Sequence, residues 1–190
     1  MSKLSRRSFL GGAATSAAGF LTSVALPSAA HASDETPQKG DQTADLLVIG
    51  AGGAGLATAV SAAQHGVKNI IILEKMPFVG GNTSISGGGF NSVHPVRQGR
   101  QKIKDSPELH AEQTLAGGDF RAYPELVKTM TYNSYDAIQW LEGMGMKFKD
   151  DVYQIYGGLY PRCHAPFGSL GSDYIKVLKP QCDKEGVQIF

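Results

Sequence analysis

"ADLLVIGAGGAGLATAVSAAQHGVKNIIILEK", residues 44–75, decides the fold. Leu46–Ile49 is an apolar run of the kind carried by a parallel strand covered on both faces; Gly50, Gly52 and Gly55 follow in the pattern G-x-G-x-x-G. Residues 56–65 read as a helix, and Ile70–Leu73 is a second apolar strand closed by Glu74. Each part has a physical task. Gly50 makes the tight turn, Gly52 lets a pyrophosphate approach the backbone, and Gly55 permits close packing of helix on strand. The unpaired N–H groups of the first helical turn face the phosphates. Glu74 stands near the ~20-residue offset at which an acid accepts hydrogen bonds from both ribose hydroxyls. A lone G-x-G-x-x-G is a weak signal. Strand, glycines, helix, strand and acid in this order predict an adenine-dinucleotide site on an α/β, Rossmann-like βαβ domain rather than a merely structural glycine turn.

The adjoining stretch, "KMPFVGGNTSISGGGFN" at residues 75–91, packs five glycines into seventeen positions. A nicotinamide dehydrogenase would pass from its second strand into another β-α unit and has no use for them. Glycines let backbone lie flat against a ligand and supply positive-φ conformations with unshielded N–H donors. A long planar ligand such as a flavin dinucleotide would use that second cradle; the plain alternative is an open surface loop.

At 190 residues and 42% hydrophobic, the chain can bury one ordinary core, as one domain or one domain plus a piece of another. Its formal charge is +1; without Lys3, Arg6 and Arg7 there remain 15 basic against 17 acidic residues, or −2. Nothing in that balance asks for nucleic acid. Residues 1–32 read as an export address: Arg6-Arg7 before Phe9-Leu10, a weakly apolar Ala/Gly-rich run, and the small-residue site Ala30-His31-Ala32, with cleavage expected after Ala32. Thr15, Ser16, Thr22 and Ser23 interrupt the run, and Pro27 ends it short of the ~20 apolar residues of a membrane anchor. The address is of the twin-arginine kind, which implies delivery by that machinery, already folded, to the periplasm. Residues 33–43 are polar and read as a linker, leaving 44–190 as the globular part.

Residues 107–115 and 124–142 read as helices, with Ser106 as N-cap of the first and Leu126, Met130, Ile138 and Leu141 at helical spacing in the second. Trp140 is read as core. A further helix is expected over 172–184, with Pro180 kinking or ending it. Cys163 and Cys182 form neither C-x-x-C nor C-x-x-C-H, so no zinc site and no c-type haem is encoded, and electrons must come from a partner. Two buried thiols are the expected state, although an oxidising compartment allows a disulfide.

"VIGAGGAGLATA", "ILEKMPFVGGNTSISGGGFN", "KDSPELHAEQTLAGG", "ELVKTM" and "AIQWLEGMG" resemble, in order and spacing, the N-terminal part of the FAD-binding domain of the fumarate reductase/succinate dehydrogenase flavoprotein family. The resemblance spans 44–190 and is greatest to the soluble periplasmic branch, with its flavocytochrome c fumarate reductases and its reductases of urocanate and acrylate-type acids. It implies Gly50, Gly52, Gly53, Ala54 and Gly55 at the FAD pyrophosphate, and Glu74 and Lys75 at the ribose. It places Gly81, Asn82, Thr83, Gly87 and Gly88 along the flavin, with Gly88 also near the bound acid. In the membrane-bound relatives a histidine six residues before the paired glycines holds the flavin covalently. Asn82 occupies that position and an amide is no nucleophile, so the FAD is expected to be non-covalent, which in this family goes with alkene reduction.

The implied activity is hydride transfer from flavin N5 to a small unsaturated carboxylic acid, with a separate donor such as a c-type cytochrome supplying electrons. Arg162, His164 and Pro166 resemble the family's Arg-x-His-Arg-Pro segment, but Ala165 replaces its second arginine. His164 is therefore read either as an active-site neighbour or as a hydrogen-bonded structural histidine. The family's proton donor and carboxylate clamp lie further along, so no catalytic residue and no metal ligand is assigned here. The chain stops inside a strand and reads as an N-terminal fragment, its FAD domain incomplete at the C-terminus. Two other readings stand beside this one: another FAD-dependent branch, such as a ketosteroid dehydrogenase or amino-acid oxidase, and a non-catalytic truncated flavin-binding product.

Overall fold

Strand β1 (Leu46–Ile49) turns through Gly50 into helix α1 (Gly53–Gln64), and the chain returns along β2 (Ile70–Leu73), parallel to β1 with Leu46 opposite Ile70 and Ile49 opposite Leu73. This computed structural model describes residues 41–168 and 170–190; the export address and the linker as far as residue 40 lie outside them. Helix α1 begins three residues earlier than its apolar pattern, because Gly53, Ala54 and Gly55 adopt helical backbone where the sequence offers only one methyl to read. Its buried positions Leu56, Ala59 and Val60 recur at i, i+3 and i+4, and the alanines let the helix sit close on the sheet.

A short helix α2 (Gly81–Ile85) and strand β3 (Phe90–Asn91) follow, then α3 (Pro95–Arg100), α4 (Pro107–Gly117) and the long α5 (Pro124–Gly143). Strand β4 (Cys163–His164) pairs antiparallel with β3, setting Phe90 opposite His164. Helix α6 (Ser172–Lys184) leads back to β5 (Gln188–Ile189), which joins β2 in parallel, giving the order β1-β2-β5. Helix α6 runs unbroken past Pro180. Proline's φ suits a helix and its cost is local, whereas Tyr174, Leu178 and Cys182 bury one face of α6 on either side of it.

The core gathers Leu56, Val60, Ile70, Ile72, Ile138 and Leu178 between sheet and helices, with Trp140 packed partly buried against it. The second face of β1 differs from expectation. Leu47 and Ile49 are 53% and 76% exposed, so the strand buries one face only among the described residues.

Candidate functional site

The glycine turn is held from three directions. Gly50, at φ +98°, donates its N–H to the Leu73 carbonyl at 2.7 Å, tying the turn to the end of β2. Ala51, fully buried, donates to Glu74 Oε2 at 2.7 Å and accepts from Gly80 N–H at 2.8 Å. Gly53 N–H donates to Thr83 Oγ1 at 3.1 Å, so the hydroxyl of the second glycine cluster closes onto the first turn of α1. A Cβ at Gly55 would lie 1.9 Å from the Gly50 carbonyl oxygen, so no side chain fits between helix and turn.

Whether a dinucleotide fits is decided at Gly52 and at the helix end. A Cβ on Gly52 would meet only the Gly80 oxygen at 3.9 Å, an ordinary contact, so the protein itself does not demand glycine there. The demand comes from the open side, where a ligand would approach. The N-cap residue Gly52 has no side chain to cap α1, Thr83 Oγ1 takes the Gly53 N–H alone, and the first turn holds no acid, so the positive end of the helix suits an anion. The residues fit the group.

Glu74 is held by backbone donors. Its two oxygens accept from Ala51 N–H and, at 3.0 Å, from Met76 N–H. These bonds, that to Ala51 foremost, lower its pKa below the usual carboxylate value and keep it ionised. Each oxygen retains a lone pair for a further donor.

The second cluster sits against the first. Gly53, Ala54, Thr83, Gly88, Phe90 and Tyr174 line one cavity of about 390 Å³. Gly81, Asn82, Gly87 and Lys75 lie exposed outside that lining. The cavity contains no carboxylate, histidine, lysine or arginine; Tyr174 is its one ionisable group, and burial raises that pKa. Sequence reasoning missed Tyr174, Ser86 and Gly171, which brace the glycine loop; only the G-S-L-G-S spacing before α6 hinted at a second close approach.

The histidines and Arg162 serve the scaffold. His164 is fully buried, its Nδ1 set between the carbonyls of Phe90 (3.2 Å) and Arg162 (3.1 Å), and burial pushes its pKa down to about 4. His94, buried beside it at 5.3 Å between ring centroids, is lowered in the same direction by burial. Arg162 is committed to Asp105 through two bonds of 2.9 and 2.7 Å. Both cysteines are buried free thiols. Among the described residues no His/Cys/Asp/Glu group could hold a metal, and no helix is long and apolar enough to cross a membrane.

Comparison with known proteins agrees with this geometry. The profile of the FAD binding domain family matches residues 45–176. A fumarate reductase (cytochrome) of Shewanella frigidimarina is 37% identical over 149 residues, covering 77% of this chain and 26% of that protein. The acrylate reductase flavoprotein subunit of Shewanella woodyi is 30% identical over 184 residues, covering 97% of this chain and 36% of that one. The open conformation of a flavocytochrome c3 fumarate reductase superposes with a TM-score of 0.71 at 34% identity, covering 77% of this chain and 26% of that structure. The chain thus spans about a quarter to a third of the length of these relatives.

Proposed function

This chain belongs to the FAD binding domain family, and on that premise we propose that it is the cofactor-holding part of a periplasmic FAD-dependent reductase of small unsaturated carboxylic acids, of the fumarate, urocanate or acrylate class. The observation that carries the reading is the cavity joining the acid-free N-terminus of α1 to Gly88 and Gly89 of the second glycine cluster. One end suits a pyrophosphate, the other a flat ring.

In this reading Gly50, Gly52, Gly53, Ala54 and Gly55 hold the pyrophosphate by N–H donation and close approach. Glu74, ionised by the backbone bonds it already accepts, takes the ribose hydroxyls, with Lys75 beside it. Gly81, Asn82, Thr83, Gly87 and Gly88 follow the flavin, and Gly88 also borders the acid. FAD held by these residues would supply a hydride to one alkene carbon while the other takes a proton, and would be re-reduced by two electrons from a separate donor such as a c-type cytochrome together with a proton from solvent. The chain's own residues bind and orient. None that lines the cavity can donate the proton, since Tyr174 is engaged with a carbonyl and the lining holds no histidine, His94, His110 and His164 being buried elsewhere.

The fumarate and acrylate reductases among its relatives support the substrate class. Arg6-Arg7 and Ala30-His31-Ala32 support twin-arginine delivery. Asn82 supports a non-covalent cofactor. The test is titration of the purified chain with FAD and, separately, NADH, followed by acid denaturation of the loaded protein. Saturable FAD binding, with intact flavin released by acid, is expected. NADH binding without FAD binding would overturn the reading, and flavin retained on the polypeptide would overturn its non-covalent part.

A further inference from the structure

The loop expected to receive the flavin ring is braced from behind by the start of α6. Tyr174, 9% exposed, donates its hydroxyl to the Gly88 carbonyl at 2.7 Å. Its ring stacks on Phe90 at 6.5 Å between centroids and meets Phe148 edge-on at 6.2 Å. One turn earlier, Gly171 N–H donates to the Ser86 carbonyl at 3.1 Å, while Ser86 Oγ donates to the Thr83 carbonyl at 2.9 Å. The approach leaves no room for side chains: a Cβ at Gly171 would lie 1.9 Å from the Thr83 oxygen, and one at Gly88 2.6 Å from Leu170 C. Gly88 is also at φ +70°, so its shape is not one the backbone adopts by default.

We propose that Tyr174 is a positioning residue that fixes the Gly88–Phe90 backbone in the form that accepts the flavin, so that FAD affinity depends on this tether as well as on the glycines. The proposal rests on the FAD-binding reading above. A run of three glycines has much conformational freedom to lose when a ligand lies against it. A loop already held by a buried hydroxyl and a stacked ring meets that cost during folding, and the ligand then binds a prepared surface. The two attachments flank Gly89, one at Gly88 and one at Phe90.

Tyr174→Phe removes the hydroxyl and keeps the ring, and therefore the packing. On the full chain without FAD, amide hydrogen exchange at residues 86–91 should accelerate about ten-fold in this variant, while amides in α6 and β5 keep their rates. The FAD dissociation constant should rise by roughly five- to ten-fold. Unchanged exchange in the loop would overturn the role of Tyr174 while leaving FAD binding intact. Acceleration spread evenly along α6 with unaltered FAD affinity would make the hydroxyl a general packing group and overturn it too. If the wild-type chain takes up no FAD, the cofactor reading falls and this role falls with it.

Discussion

Gly52 and Gly55 stand three residues apart in one motif, yet they are required by different things. A methyl at Gly55 drives into the Gly50 carbonyl at 1.9 Å, whereas one at Gly52 finds an ordinary 3.9 Å contact. Gly55→Ala should therefore cost at least the ~1–3 kcal/mol of an overpacked site. Gly52→Ala should leave the thermal midpoint nearly unchanged and, in the proposed site, weaken FAD binding by about ten-fold or more, since the methyl would project toward the pyrophosphate. Paired melting curves and FAD titrations check this, and equal effects of the two variants on stability would contradict it. His110 supplies a second residue-scale case. It is 4% exposed, its Nδ1 has no hydrogen-bond partner, and burial pushes its pKa down to about 4. Between the ordinary histidine value of about 6.5 and that lowered value, the unfolded chain binds the proton and the folded one does not. Stability contributed by the neutral ring is thus present above pH 6.5 and lost as pH falls toward 4, by on the order of 3 kcal/mol. His110→Leu should flatten the acid limb of stability against pH by up to one proton's worth and leave stability at pH 7 within about 1 kcal/mol, because no bond to Nδ1 is lost. Denaturant unfolding at pH 4.5 and 7 checks it.

Elements differ in how openly the sequence declares them. Strand β2 and helices α4 and α5 were legible because their signals are local: an apolar run, an N-cap with proline at the next position, and helical spacing of apolar residues. Ser106 caps α4 as expected, its hydroxyl accepting from Leu109 N–H at 3.1 Å, with Pro107 following. Ser106→Ala should lower stability by about 1 kcal/mol, visible in chemical denaturation, and Ser106→Asp should restore most of it. Helix α2 was not legible, since five residues are too few for periodicity and Gly-Asn-Thr-Ser favours loops by composition. Pro180 misled for the opposite reason: a strong local rule yields to burial of Tyr174, Leu178 and Cys182 on the same helix. The site divides similarly. The tight turn at Gly50 and the close approach at Gly55 were readable from local spacing, whereas Tyr174 lies 86 residues from Gly88 in sequence and nothing local marks it.

At the scale of the molecule, the described residues cover one face of the sheet more fully than the other. Helices cover the face of the sheet that carries Leu46, Val48 and Ile72, while Leu47, Ile49 and Leu73 stay exposed on the other, the last at 42%. Ile71, which lies beside Leu47 on that face, is buried at 5% exposure, so the face is open mainly along β1, where Leu47 and Ile49 gain little from burial in the described structure. The cavity between the two glycine clusters can prepay the positioning of a cofactor, but its lining carries no group able to protonate an alkene or clamp a carboxylate. Arg162, which the family resemblance matched to the first arginine of the Arg-x-His-Arg-Pro segment, gives Nε and Nη2 to Asp105 and is 4% exposed. Positioning and general acid catalysis each supply large factors in such a reaction, the acid alone typically 10²–10⁴-fold. The purified chain loaded with FAD should therefore accept electrons from reduced viologen dye, yet fail to pass them to fumarate, urocanate or acrylate above the rate of free flavin. The assay follows dye oxidation with and without each acid. Acid-dependent turnover well above free flavin would mean that a donor outside the cavity lining reaches the alkene, and Arg97, whose buried Nη1 lacks a partner, would be the first residue to replace.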